Sequence, residues 1–173
     1  MTQLFAGPLW VQYRQAYVVD EQSDGFPMPD EAASGQVNGL CGAAVPGSLF
    51  LTTGLHTGPV GFVVELVDQP PPLEDAWEDV VEVSYKPRGE QVALVQWAGE
   101  AGFPLDLPSQ CYRARYCAIG MDEAHRVDTV PTEGSTIDSY ALIFWPAEPA
   151  PDVIVRQTSE AAAYWHSAWA GPR

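Results

Sequence analysis

Apolar and polar residues alternate with a period of two along much of this chain, the spacing of strands that turn one face to a core and the other away from it. Trp10 to Val19 reads as a first strand, with Val11 and Tyr13 on one side and Gln12 and Arg14 on the other. A turn-rich stretch from Asp20 to Gly47 follows, punctuated by Pro27, Pro29, Gly35, Gly39, Gly42 and Pro46, and within it Pro29-Asp-Glu-Ala-Ala starts a short helix. Leu49 to Thr53 is a small strand, extendable from Ala44. In Val60 to Val67 both faces are largely apolar, which predicts an interior strand, and Gln69-Pro-Pro-Pro ends it. Val81, Val83 and Tyr85, the turn Lys86-Pro-Arg-Gly-Glu, and the alternation from Val92 to Trp97 predict a hairpin.

Ala101 to Pro108 reads as an irregular approach to a strand at Cys111–Ile119. A polar connection from Gly120 to Thr136 then leads to a strong strand at Tyr140–Trp145. Many short strands without alternating long helices predict a mainly β protein, an antiparallel β-sandwich. After Pro146 the character changes. Val153 to Arg156 reads as a short edge strand, and Thr158 or Ser159 can cap a short C-terminal helix that Gly171 ends. Ala161, Trp165 and Trp169 recur at intervals of four along one face of it. The predicted division is a sandwich over 1–146 and an extension over 147–173 packed on the same domain through that stripe. A homodimer through Trp165 and Trp169 is the alternative use of the same rings.

Composition narrows the partners. The 173 residues hold 23 Asp plus Glu against 8 Lys plus Arg, a formal charge of -15. Six Trp, seven Tyr and six Phe supply the apolar surface that a disordered acidic tail lacks. With a single Lys, the chain lacks the basic footprint that nucleic acid or an anionic membrane demands, so a basic protein is the expected partner. The start of the chain has neither the basic residues nor the apolar run of a signal peptide, and Cys41, Cys111 and Cys117 form no disulfide framework, so a cytoplasmic protein with reduced thiols is expected.

The densest acidic run is Leu73-Glu-Asp-Ala-Trp-Glu-Asp-Val-Val-Glu, read as one or two helical turns with Leu73, Trp77, Val80 and Val81 packed. Its Glu74, Asp75, Glu78 and Asp79 are the first candidate contacts for a basic partner. Asp20, Glu21 and Asp24 are the second, with Phe26 and Met28 as apolar anchors beside them and Asp30 and Glu31 beyond. Each run has an ordinary alternative as a solvated, solubilising surface.

Other chemistries find thinner support. A hydrolase built on Cys41 and His56 lacks an identifiable orienting residue. Cys111 and Cys117, six apart on one strand, stand about 20 Å from each other. No calcium-loop pattern follows Asp20 and Asp24, and His125 and His166 lack the companions of a zinc site, so no metal or cofactor is implied. Arg113 and Arg115 are expected to pair with the chain's own acids. A small-ligand module would place its pocket among Tyr13, Tyr85, Trp97 and Tyr116.

The order of these segments resembles the bacterial competence protein J family, inhibitors of the DNA-entry nuclease. The residues that carry it are Trp10-Val-Gln-Tyr-Arg-Gln-Ala-Tyr-Val-Val, Asp30-Glu-Ala, Gly42-Ala-Ala-Val, Val60-Gly-Phe-Val-Val-Glu-Leu, Trp77-Glu-Asp-Val-Val-Glu-Val, Phe103-Pro-Leu-Asp-Leu-Pro, Cys111-Tyr-Arg-Ala-Arg-Tyr-Cys and Asp138-Ser-Tyr-Ala-Leu-Ile-Phe-Trp-Pro. They span most of residues 8 to 146, and the terminal extension departs from the family pattern. The resemblance implies a compact, non-catalytic β protein that binds a basic, metal-dependent nuclease and blocks its cationic site. An acidic adaptor or immunity protein for another cationic protein is the alternative.

Overall fold

A computed structural model describes residues 1–131 and 135–169. Two sheets stack face to face. The larger has six strands in the order β1 (Thr2–Val11), β5 (Gly58–Leu66), β10 (Ser139–Pro146), β9 (Tyr112–Ile119), β6 (Asp79–Tyr85), β11 (Val153–Arg156). The smaller has five: β3 (Cys41–Gly42), β4 (Leu49–Thr52), β2 (Gln15–Asp20), β7 (Val92–Gln96), β8 (Gly102–Leu105). Three helices accompany them, α1 (Pro29–Ala32), α2 (Met121–Val127) and α3 (Glu160–Trp169).

The period-two pattern builds the core. Val60, Phe62 and Val64 of β5, Tyr112, Ala114 and Tyr116 of β9, and Tyr140, Leu142 and Phe144 of β10 point inward against Ala16 and Val18 of β2, Leu49 and Leu51 of β4, and Leu94 of β7. The large sheet is apolar behind as well, where Val80, Cys117, Ala141 and Ile143 pack under Val67 and Trp77. That second cluster explains why β10 is apolar on both faces. As expected, β5 is interior and β11 is an edge strand.

Several expectations change. Trp10–Val19 is not one strand: a two-residue turn at Tyr13 (φ 54°) and Arg14 (φ 59°) breaks it and sends β2 into the other sheet. Both turn residues are left-handed, the conformation of a tight I′ turn, yet neither is the Gly, Asn or Asp that announces one. The turn is held by Arg14 N–H to the His56 carbonyl at 3.0 Å and Thr53 N–H to the Arg14 carbonyl at 3.1 Å. β6 and β7 form no hairpin, because they belong to different sheets. The loop between them is pinned to the end of β2 by Arg88 N–H on Asp20 and by the Glu90 and Gln91 N–H groups on Glu21.

The approach at Ala101–Pro108 contains β8, which accommodates Pro104 because it is an edge strand. β10 runs parallel to β5, so the large sheet is mixed. The polar connection holds α2, whose Met121 and Ala124 are buried; its residues 132–134, like Gly171, lie outside the described residues. The run at 73–82 is not helical. It turns at Asp75–Ala76 and enters β6 at Asp79, with the Trp77 carbonyl accepting from Arg156 at 2.7 Å. Ser159 is the cap of α3, its Oγ accepting Ala162 N–H at 3.0 Å.

Candidate functional site

The two acidic runs have different fates. Asp79 is 0% exposed, and its Oδ1 accepts the N–H groups of Thr158 at 2.8 Å and Ser159 at 3.1 Å. Asp20 is also buried. Its Oδ1 accepts Gln22 N–H at 3.0 Å and its Oδ2 accepts Arg88 N–H at 2.7 Å. These two residues are buried and hold the chain's own loops, unlike the exposed carboxylates beside them. Glu21 is exposed but tied, and backbone amides, its own and that of Glu90 first, hold its carboxyl below the ordinary range. Asp24 is exposed, as are Phe26 and Met28, with Phe26 stacked on Tyr17 at 4.9 Å.

Nor do the runs merge. Asp79 opens β6, while Asp20 binds Arg88 just beyond the strand's other end at Tyr85. Seven residues at about 3.3 Å rise separate them by about 20 Å, more than twice the screening length of about 8 Å at physiological salt. The two runs therefore form two separate acidic surfaces.

The first run instead gains neighbours that the sequence order hides. Glu78 accepts Gly120 N–H at 2.9 Å, which brings it to the head of α2. Asp122 accepts Glu160 N–H at 3.1 Å and Ala161 N–H at 2.8 Å, capping α3 from outside it. Arg156 reaches the Glu74 carbonyl at 3.0 Å and stands 3.7 Å from the Asp75 carboxylate. Glu74, Asp75, Glu78, Asp122, Glu123 and Glu160 thus lie on segments that meet at one end of the large sheet, where Glu78, Asp122 and Glu123 line a groove of about 310 Å³ with Thr158 and Ser159.

Arg126, paired with Glu123, and Arg156 offset this rim, and Arg14 lines the adjoining pocket with Asp122, Arg126 and Glu160. Asp75 is fully exposed, and its pair with Arg156 contributes little. The backbone amides that Glu78 and Asp122 accept fix their rotamers, which lowers the entropy cost of docking. The signal available in the sequence was Asp122-Glu123 and Glu160 at the first turns of two helices, but nothing local joins them to Glu78.

The remaining candidates resolve individually. Cys41 is 0% exposed, and burial pushes its thiol far up, the reverse of what a nucleophile needs. His56 lies against Tyr13 and shares a hydrogen bond with Thr57 at 2.8 Å. The three cysteines are free thiols; burial pushes that of Cys117 up to about 12. Glu82 lies between Arg115 at 2.9 Å and Arg113 at 3.8 Å, the expected internal pairing. Tyr85 and Tyr116 are core residues while Tyr13 is exposed on the turn beside Trp97, so the four aromatics line no common pocket. Trp165 packs against the core and stacks on Trp169 at 5.9 Å. His125 is exposed on α2, whereas His166 is buried. Among the described residues no three His, Cys, Asp or Glu side chains come together as metal ligands, and no helix is long and apolar enough to cross a membrane.

No family model and no curated protein matches this chain. Among solved structures it is similar to ComJ from Bacillus subtilis, described as the inhibitor of the DNA-degrading activity of NucA, with a TM-score of 0.61 and 17% identity, covering 84% of this chain and 98% of that one. It is also similar to crocagin biosynthetic gene J, with a TM-score of 0.52 and 13% identity, covering 86% of this chain and 100% of the other. At these identities the likeness establishes the fold, which the two proteins and this chain share.

Proposed function

We propose that this chain is a non-catalytic acidic protein that binds a basic, metal-dependent nuclease and inhibits it by occupying its cationic cleft. The observation that carries the reading is the rim, where three chain segments bring six carboxylates against three guanidinium groups, those of Arg14, Arg126 and Arg156. Such a field speeds encounter with a basic surface, and fixed carboxylates pair with Lys and Arg that otherwise hold phosphate. Glu74, Asp75 and Glu78 are the first contacts from the original run, joined by Glu123 and Glu160. Glu21 and Asp24 at the far end of β6 form a second, separate contact. The likeness to an inhibitor of a DNA-degrading enzyme supports this reading, although one fold hosts many functions and the rim, not the fold, has to bear it.

Capture of partners from the native cell, followed by a DNA-degradation assay on the recovered protein with and without this chain, tests the proposal. Suppressed degradation supports inhibition; a bound cationic protein whose activity is unaffected, or that degrades no DNA, identifies an adaptor instead. A homodimer through Trp165 and Trp169 would draw these rings away from their own chain. Sedimentation of the wild type beside Trp169→Ala reads it, and a shared monomer mass excludes it.

A further inference from the structure

α3 carries Glu160 and an aromatic face beside the rim; Asp122 holds its first amides, and one imidazole ties its second half to the 38–39 segment. His166 is 6% exposed, and its Nδ1 accepts the backbone N–H of Gly39 at 2.9 Å. An imidazole that accepts at Nδ1 is neutral and bears its proton at Nε2. That Nε2 is buried without a hydrogen-bond partner, as is Oδ2 of Asp79. Gly39 is pressed onto the helix backbone: a Cβ there would stand 2.0 Å from the Trp165 carbonyl oxygen and 2.9 Å from the His166 nitrogen. The helix and the 38–39 turn therefore meet without intervening side chains, and the ring supplies the acceptor at their junction.

We propose that His166 is a proton-operated latch on α3: the neutral imidazole holds the helix against the Asn38–Gly39 turn, and a proton taken up at Nδ1 releases the helix, which carries Glu160, from that turn. The consequence for docking rests on the reading of the rim above, while the latch does not. The solvent supplies the proton. Once it is bound, the Gly39 N–H faces another N–H, and the bond between them is lost with no acceptor to replace it.

The charged groups around the ring come from every element packed there. Asp79 at the head of β6 and Asp152 ahead of β11 are the carboxylates whose charge reaches it. Asp79 is tied to Thr158 and Ser159, and Asp152 to Val37 and Asn38. From α2, Asp122 is engaged with the first amides of α3, while Glu123, His125 and Arg126 are exposed. β3 contributes Cys41, a buried thiol that burial keeps protonated.

Burial outweighs the two carboxylates and holds the docked ring below the ordinary histidine value of 6.5. A released ring therefore binds a proton that the docked ring refuses. The latch is at full strength above that value and weakens as the pH falls below it.

Amide hydrogen exchange along α3 and at Gly39, measured on the chain alone between about pH 7.5 and about pH 5 and corrected for intrinsic rates, reads the latch with no partner present. In the wild type, protection of α3 relative to β9 falls by at least about tenfold over this range. In His166→Gln the amide oxygen accepts the Gly39 N–H without titrating, and the protection ratio stays level. An equal fall in both proteins overturns the latch, and a level wild-type profile overturns it whatever the variant does. Rim variants that leave partner binding intact would remove the docking surface and leave this profile standing.

Discussion

Replacing Asp79 by alanine isolates what a buried carboxylate contributes when it serves the backbone. Its Oδ1 accepts two N–H groups, those of Thr158 and Ser159, where the chain passes from β11 into α3. Alanine leaves both donors without their acceptor at a site where Asp79 is 0% exposed and Ser159 is 4% exposed. A buried donor stripped of its partner costs about 1–3 kcal/mol, and some relaxation toward water at the chain turn brings the expected total to about 3 kcal/mol. With a denaturant slope of about 2 kcal/mol/M, the urea midpoint falls by about 1.5 M. Asp79→Asn keeps one acceptor oxygen and loses less than half as much, while the exposed Glu74→Gln moves stability by under about 0.5 kcal/mol. If Asp79→Ala and Glu74→Gln have the same midpoint, the carboxylate is not the anchor described here and returns to the list of surface contacts.

Three further outcomes follow from other buried groups. Glu82→Ala leaves Arg113 and Arg115, each 8% exposed, without their shared carboxylate; chemical denaturation is expected to show a loss of about 3 kcal/mol, and Glu82→Gln a smaller one. Burial raises the Asp138 carboxyl above its ordinary 3.8 despite the Tyr140 hydroxyl and Leu55 amide that donate to it. The folded state therefore holds a proton that the unfolded state releases, and wild-type stability rises relative to Asp138→Asn as the pH falls toward 3.8. Gly39→Ala places a methyl against the Trp165 backbone, costing about 1–3 kcal/mol, and the displaced α3 reports itself as a red shift in tryptophan emission.

The strands were legible because a half-buried pleat requires alternation, and Val60–Val67 and Tyr140–Trp145 show it plainly. What the alternation lacks is any record of which sheet a strand joins. The Tyr13–Arg14 turn carries no glycine, so the pattern runs through it unbroken from Trp10 to Val19. β6 and β7 look like a hairpin because the Asp20 and Glu21 carboxylates that separate them come from far upstream.

The site was legible to a similar depth. A count of charges finds Glu74, Asp75 and Glu78, but it cannot tell them from Asp79, since burial depends on where residues 158–159 return. Asp122 and Glu160 join the rim only through tertiary hydrogen bonds. The same blindness hid His166, whose partner is a backbone amide at Gly39 and leaves no mark in composition.

The central claim is that the rim at the heads of α2 and α3 is the docking surface, and charge reversal there tests it most directly. The measurement is the affinity of the captured nuclease for the wild type, for Glu74→Lys combined with Glu160→Lys, and for Asp24→Lys at the far end of β6. The account predicts that the double variant, folded as judged by its urea midpoint, binds at least about tenfold more weakly and suppresses DNA degradation correspondingly less, while Asp24→Lys changes affinity by a smaller factor. Unchanged affinity in the folded double variant would contradict it.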